Sequence, residues 1–203
     1  MKIICIGRNY HAHIKELGNE IPAEPVFFIK PDTSLLLRNR PFFYPGFSSD
    51  IHYEAELVLK ICKVGKNIQP RFAHTYYDKI GLGIDFTARD IQDRAKKAGL
   101  PWFTAKGFDQ SAPVSQFIPK TGFPDLKNIQ FSLNLNGKPV QQGNTSLMIY
   151  SFDEIIEYAS RFVTLRTGDL IFTGTPSGVG SVRIGDLLEG FIEGKPILKC
   201  AIK

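Results

Sequence analysis

The chain has 203 residues, 43% of them hydrophobic and 22% charged, enough to bury a sizeable core as an ordinary soluble globular protein. A net charge of +5 favours anionic partners, but the basic cluster 94-RAKK-97 stands without an arginine-rich arm, zinc-finger spacing or aromatic RNA-binding signature, so nucleic-acid binding is not expected. There is no apolar run of membrane-span length, MKIICIGRNY is too weakly apolar for a secretory signal, and three widely spaced cysteines fit neither a disulfide framework nor a thiolate zinc site; a reduced, cytoplasmic protein is expected.

Residues 2–6 (KIICI) are predicted as a short buried strand. The segment 9-NYHAHIKEL-17, closed by Gly18, is predicted as a short helix with a glycine stop. On it His13 and Glu16 stand at i, i+3 and share a face within hydrogen-bonding reach. Two readings are open there: an imidazole held as a general base toward water, or a surface His–Glu pair.

Between residues 25 and 60 come short strand-like pieces broken by Pro31, Pro41 and Pro45. The stretch 50-DIHYEAELVLK-60 reads as a strand with two glutamates in its middle. Alternation turns Glu54 and Glu56 to one face and Tyr53, Ala55, Leu57 and Leu59 to the other. The pair is either the wet side of a half-buried strand or two hard oxygen ligands aimed at one cation.

Residues 79–85 (KIGLGID) read as a buried strand ending at Asp85, which either helps cap the next helix or adds a third carboxylate. Three converging carboxylates repel one another, and a divalent cation resolves the repulsion. An all-oxygen set selects Mg²⁺ or Mn²⁺ before Zn²⁺. Thr87 is predicted to cap the following helix, with Asp90 in capping-box position, Gly99 beyond its end, and Ile91, Ala95 and Ala98 as its apolar stripe.

Farther on, Asn136-Gly137 between two strand-like runs predicts a hairpin over 129–143. Ser151 with Glu154 opens a second amphipathic helix carrying Ile155, Ile156, Ala159 and Phe162. The strand 169-DLIFT-173 runs into 173-TGTPSGVG-180, which matches neither phosphate-loop nor dinucleotide spacing; 81-GLG-83 fails likewise. The loop is either an ordinary tight turn or a grip for a small carboxylate, through backbone N–H groups and Thr175. A last hairpin, 187–202, turns at Glu193-Gly194-Lys195. Many short strands with two or three helices, no regular βαβ alternation and no repeat or linker predict one α+β domain over 1–203.

The segments 7-GRNYHAH-13, 24-EPVFFIKP-31, 52-HYEAEL-57, 84-IDFTARDIQ-92, 100-LPWFTAKGFD-109 and 173-TGTPSGVG-180 together resemble the fumarylacetoacetate hydrolase superfamily, above all its short, single-domain branch of acylpyruvases and oxaloacetate decarboxylases. The resemblance spans nearly the whole chain in order. It implies a mixed β-sheet rolled into a barrel-like fold with a few short helices, usually as a homodimer. It implies one Mg²⁺ or Mn²⁺ per subunit, held by Glu54, Glu56 and Asp85. Gln92, Lys106 and Thr175 would then contact substrate with Arg89 nearby, Lys106 being catalytic as well. His13 and Glu16 would form a catalytic, water-activating dyad on a lid made by residues 9–18.

The activity implied is C–C bond cleavage in small 2-oxo acids, by acylpyruvate hydrolysis or oxaloacetate decarboxylation, through a metal-stabilised enolate. Three carboxylates and one dication leave one negative charge, which Lys106 offsets. The alternative is an enzyme of aromatic catabolism, a 2-hydroxyhepta-2,4-diene-1,7-dioate isomerase or 5-oxopent-3-ene-1,2,5-tricarboxylate decarboxylase. A binding protein without catalysis is disfavoured by the intact set of Glu54, Glu56, Asp85 and Lys106.

Overall fold

A computed structural model describes residues 1–18 and 20–203. Apolar runs interrupted by Pro and Gly give many short strands rather than a few long ones. The first part of the chain forms β1 (Ile3–Gly7), α1 (His11–Glu16), β2 (Val26–Lys30), β3 (Leu35–Leu37), β4 (Ile51–Tyr53) and β5 (Ala55–Ile61). The middle adds α2 (Pro70–Ala73), β6 (Tyr77–Ile84), β7 (Thr87–Ala88), α3 (Arg89–Lys97), α4 (Phe103–Lys106), β8 (Ala112–Val114) and β9 (Ile118–Pro119). The last part comprises β10 (Gln130–Leu135), β11 (Lys138–Asn144), α5 (Phe152–Phe162), β12 (Leu170–Phe172), β13 (Gly180–Ser181), β14 (Leu187–Ile192) and β15 (Lys195–Ala201).

The large sheet runs β2-β1-β12-β5-β6-β8-β3, with β9 also on β6. It is mixed: β1 pairs with β12, and β3 with β8, in parallel, while its other pairings are antiparallel. It curls into a half-barrel with few short helices, the α+β architecture expected. A four-stranded sheet, β11-β10-β14-β15, holds both expected hairpins, and β13-β4-β7 forms a third. The turn at Asn136 and Gly137 matches its chemistry, both residues having the positive φ they favour; in the second hairpin Gly194 does so too, while Glu193 adopts φ +49° without that preference. The main core gathers Leu57, Leu59, Ile80 and Leu82 from the large sheet, Phe131, Leu133 and Leu188 from the four-stranded one, and Ile155, Ile156 and Ala159 from α5. Each such Leu, Ile or Phe side chain contributes about 1.5–3 kcal/mol by leaving water. Among the described residues no helix is long and apolar enough to cross a membrane.

Helix α5 begins as its sequence predicts. Glu154 N–H donates to Ser151 Oγ at 3.4 Å while Ser151 N–H donates to Glu154 Oε2 at 2.8 Å. Its last predicted apolar residue, Phe162, lies instead on the surface against Phe27 and Tyr158.

Helix α3 departs from expectation in two ways. Thr87 does not cap it: the N-cap is Ala88, with no side-chain bond, and Thr87 sits in β7. Asp90 accepts from Ser48 Oγ at 2.6 Å instead of closing a capping box. Its buried face is Arg89, Gln92 and Ala95, not Ile91, Ala95 and Ala98. An apolar stripe is a good guide only where the surroundings are apolar, and here buried acids face the helix.

Candidate active site

The pairing of β5 with β6 brings the acids together. Ala55 stands opposite Ile84, so the next residues outward, Glu54 and Asp85, meet where the strands end, and Asp85 N–H donates to Glu54 O at 2.8 Å. The single strand expected over 50–60 is broken at Glu54, which lies between β4 and β5, yet the carboxylate of Glu56, two residues along, still comes beside it. Ligand oxygens of Glu54, Glu56 and Asp85 all lie within 4.8 Å of one another. Their residues are 6%, 2% and 1% exposed, so the wet-side reading of the glutamates and the capping reading of Asp85 both fail.

Buried cations surround the acids. Lys106, at the end of α4, directs its three N–H bonds to Glu54 Oε2 (2.8 Å), Asp85 Oδ2 (2.8 Å) and Thr87 Oγ1 (2.5 Å). Arg89, in the first turn of α3, donates from Nη2 to Glu54 Oε1 and from Nη1 to Gln92 Oε1, the latter at 2.5 Å. Burial alone would raise the Glu54 carboxyl, but Lys106 and Arg89 hold it well below the carboxylate range. For Lys106 the balance is reciprocal: burial would lower its ammonium, and Asp85 and Glu54 raise it.

Glu56 is placed differently. Burial, and then neighbouring Asp85, push its carboxyl well above the usual range, against one hydrogen bond from Gly174 N–H at 2.6 Å. A buried acid with this surplus of negative neighbours is where a divalent cation would relieve the repulsion. The all-carboxylate donor set fits Mg²⁺ or Mn²⁺.

The glycine-rich loop follows β12, whose pairing with β5 sets it beside Glu56. Its backbone N–H groups bind the protein's own carboxylates: Gly174 N–H goes to Glu56 and Gly178 N–H to Glu16 Oε1 at 3.0 Å. Both need glycine. Their φ values are +103° and +96°, and a Cβ would come within 2.6 Å of Asn9 Cβ and 2.1 Å of Val140 O respectively. Glu16 Oε2 in turn lies 3.2 Å from His13 Nδ1. Helix α1 is therefore pinned to the loop through Glu16, and His13 is buried beside the acids, lining the same pocket. The surface-pair reading fails for His13, which is buried, whereas Glu16 is exposed. The helix is shorter than residues 9–18, and His11 faces solvent.

The sequence missed two residues of the site. Lys30 is fully buried, 0% exposed, at the end of β2. Its three N–H bonds go to Phe86 O (3.1 Å), Ser111 O (3.0 Å) and Ser111 Oγ (2.9 Å). Its nitrogen also lies 2.7 Å from Asp85 Oδ1, which thus takes a charge contact but no hydrogen bond. A lysine after four apolar residues in 26-VFFIK-30 was the available signal, and it reads equally well as a strand end. The other is Gln141 of β11, whose amide receives Ala55 N–H (2.9 Å) and donates to Thr175 Oγ1 (2.8 Å) and Pro176 O (2.9 Å). It ties the glycine loop to the start of β5.

The pocket is lined by Glu54, Glu56, Asp85, Arg89, Lys106 and Thr175, among others, and its inner space is about 40 Å³. That is small beside the sites that hold drug-sized ligands.

The model of the fumarylacetoacetate (FAA) hydrolase C-terminal family matches residues 2–203. A mitochondrial oxaloacetate decarboxylase of Dictyostelium discoideum is 47% identical over 194 residues, covering 95% of this chain and 89% of its own. The mitochondrial oxaloacetate tautomerase FAHD1 of Rattus norvegicus is 43% identical over 192 residues, covering 95% and 87%. The crystal structure of fumarylpyruvate hydrolase from Pseudomonas aeruginosa, in complex with Mn²⁺ and pyruvate, matches with a TM-score of 0.94 at 36% identity, over 100% of this chain and 89% of that one. The chain belongs to the fumarylacetoacetate hydrolase family.

Proposed function

We propose that the chain is a single-domain, divalent-metal-dependent enzyme acting on small 2-oxo acids, oxaloacetate first among them, through the enolate of the substrate. The convergence of Glu54, Glu56 and Asp85 beside Lys106 carries this reading. These three acids would hold one Mg²⁺ or Mn²⁺, and the named relatives fit the choice of substrate. Bound there, the ion supplies Lewis-acid stabilisation of the negative charge that develops on the 2-oxo oxygen.

The chain's own residues do the rest. The hydroxyl of Thr175 accepts from Gln141, which leaves its hydrogen free for a substrate carboxylate. Arg89 and Gln92, tied to each other on α3, offer the substrate a charge and an amide from one side. Lys106 keeps a positive charge against the acids, so an anionic substrate is not repelled. In the tautomer that donates from Nδ1 to Glu16, His13 has Nε2 left as a base. That base either activates water against the distal carbonyl of an acylpyruvate or moves a proton at C3. Closure of α1 through Glu16 and Gly178 keeps bulk water out of the step.

Cleavage, whether decarboxylation or hydrolysis, is the leading outcome. Proton transfer without cleavage is the second, and the oxaloacetate tautomerase among the relatives favours weighing it. The test is to give the pure protein oxaloacetate and acetylpyruvate, with Mg²⁺ and again with EDTA, following pyruvate release and enol–keto exchange separately. Metal-dependent change in either signal is expected, and Asp85→Ala is expected to abolish it. Undiminished, EDTA-resistant turnover by the variant would reject the reading. We also propose a cytoplasmic homodimer: sedimentation equilibrium should return twice the chain mass, and a monomer at micromolar concentration would refute that part.

A further inference from the structure

Helix α3 carries Arg89, Gln92 and Lys96 at i, i+3 and i+7, a spacing that lines side chains along one helical face. All three border the pocket. Arg89 and Gln92 are buried at its floor, whereas Lys96 is exposed, roughly 6 Å farther along the helix axis than Gln92 at 1.5 Å per residue. The Lys96 ammonium lies over the Trp102 ring, 5.8 Å from its centroid, and Trp102 meets Phe28 edge-on with centroids 6.2 Å apart. Both rings also line the pocket, so an apolar wall runs from the acids to a cation at the rim.

Among the described residues no ion pair engages Lys96. Partial burial lowers its ammonium from the ordinary lysine value, and Arg89 and then Arg8 act in the same sense against Asp93. The rim carries two cationic side chains, Lys96 and Arg8. The floor adds to this. Its three buried acids are matched by three buried bases, Lys30, Arg89 and Lys106, which contact them. With the divalent ion of the proposed function in place, two positive charges are left over, and a single substrate carboxylate answers only one of them.

We infer that Lys96 receives the distal carboxylate of a 2-oxo dicarboxylate, laid along Phe28 and Trp102, and so selects diacids over monoacids of the same chain length. The inference rests on the proposed function and goes beyond it by naming the residue that sets chain-end specificity. Arg89 and Lys106 are tied to the floor acids, whereas Lys96 has its charge unspent where the far end of the ligand would emerge.

The test uses 2-oxopentanedioate and 2-oxopentanoate, equal in length and differing in the distal carboxylate, as competitive inhibitors of oxaloacetate turnover with Mg²⁺. The wild type should bind the diacid more tightly. Lys96→Met should weaken the diacid about twofold to fivefold, as one exposed ion pair contributes, and leave the monoacid unchanged; Lys96→Arg should restore the gap. Equal inhibition of the wild type by both acids, or a Lys96→Met effect that falls on both alike or on neither, overturns the inference and leaves the functional reading standing. Absence of any oxaloacetate turnover by the wild type overturns the functional reading and the inference together.

Discussion

Lys30 shows how one buried charge organises the floor of the site. Its ammonium satisfies Phe86 O and Ser111 and touches Asp85 Oδ1. Replacing it by methionine keeps the volume but strips these acceptors of their donor and leaves Asp85, among the described residues, with Lys106 as its one remaining ion-pair partner. Loss of one partner from a buried ionic cluster costs about 3–5 kcal/mol, because the other charge stays buried. Lys30→Met is therefore expected to lower the urea-unfolding free energy in EDTA by about 3 kcal/mol. A change under about 1 kcal/mol would mean that the ammonium does not support the cluster. The same residue marks a boundary of sequence reading: Lys30 was visible as a residue, but its partners Phe86 and Ser111 lie 56 and 81 positions away.

At the scale of elements, legibility followed the range of the interactions. The start of α5 was readable because its capping box closes within four residues, and both hairpins because Gly137 and Gly194 supply the positive φ their turns require, the first together with Asn136. Ser151→Ala should cost about 1 kcal/mol, a typical capping loss, and lower Tm by about 2–4 °C for a chain of this size. Oxaloacetate turnover should be untouched, since Ser151 lies outside the pocket lining; a differential scanning trace superimposable on the wild type would show the cap to be idle. Helix α3 was misread for the opposite reason. Its inward face is chosen by Glu54, 35 residues away from Arg89, and no local period encodes that. Glu54 and Glu56 were legible as a same-face pair because a strand period of two is local, whereas their burial was not.

For the whole molecule, the acid cluster predicts linkage between ion binding and stability. A folded site that binds Mg²⁺ or Mn²⁺, absent from the unfolded chain, adds about 2.7 kcal/mol at a hundred times Kd. That corresponds to about 5–10 °C in Tm at this length. Thermal unfolding with saturating Mg²⁺ against EDTA should show that rise, and Asp85→Ala should lose it. Identical melting curves for the wild type with and without the ion would argue that the three carboxylates hold no cation. The shared sheet makes the linkage global: β5, β6 and β12 supply or position Glu54, Glu56, Asp85 and Gly174, and the same strands carry Leu57, Leu59, Ile80, Leu82 and Ile171 into the core.

The sequence by itself determined the short strands, the hairpins, the capped helix and the chemical type of the candidate ligands, because turns, caps and alternation are interactions between near neighbours. Together with the spacing of its motifs it also carried the family. Only the tertiary structure decided that Glu54, Glu56 and Asp85 converge, that Arg89 and Gln92 face inward, that Gly174 and Gly178 of the glycine loop donate to Glu56 and Glu16, and that Lys30 and Gln141 complete the site. Each of these depends on which strands lie side by side. That order is set by burial of the whole apolar surface at once, a sum over distant residues that no single stretch of chain contains.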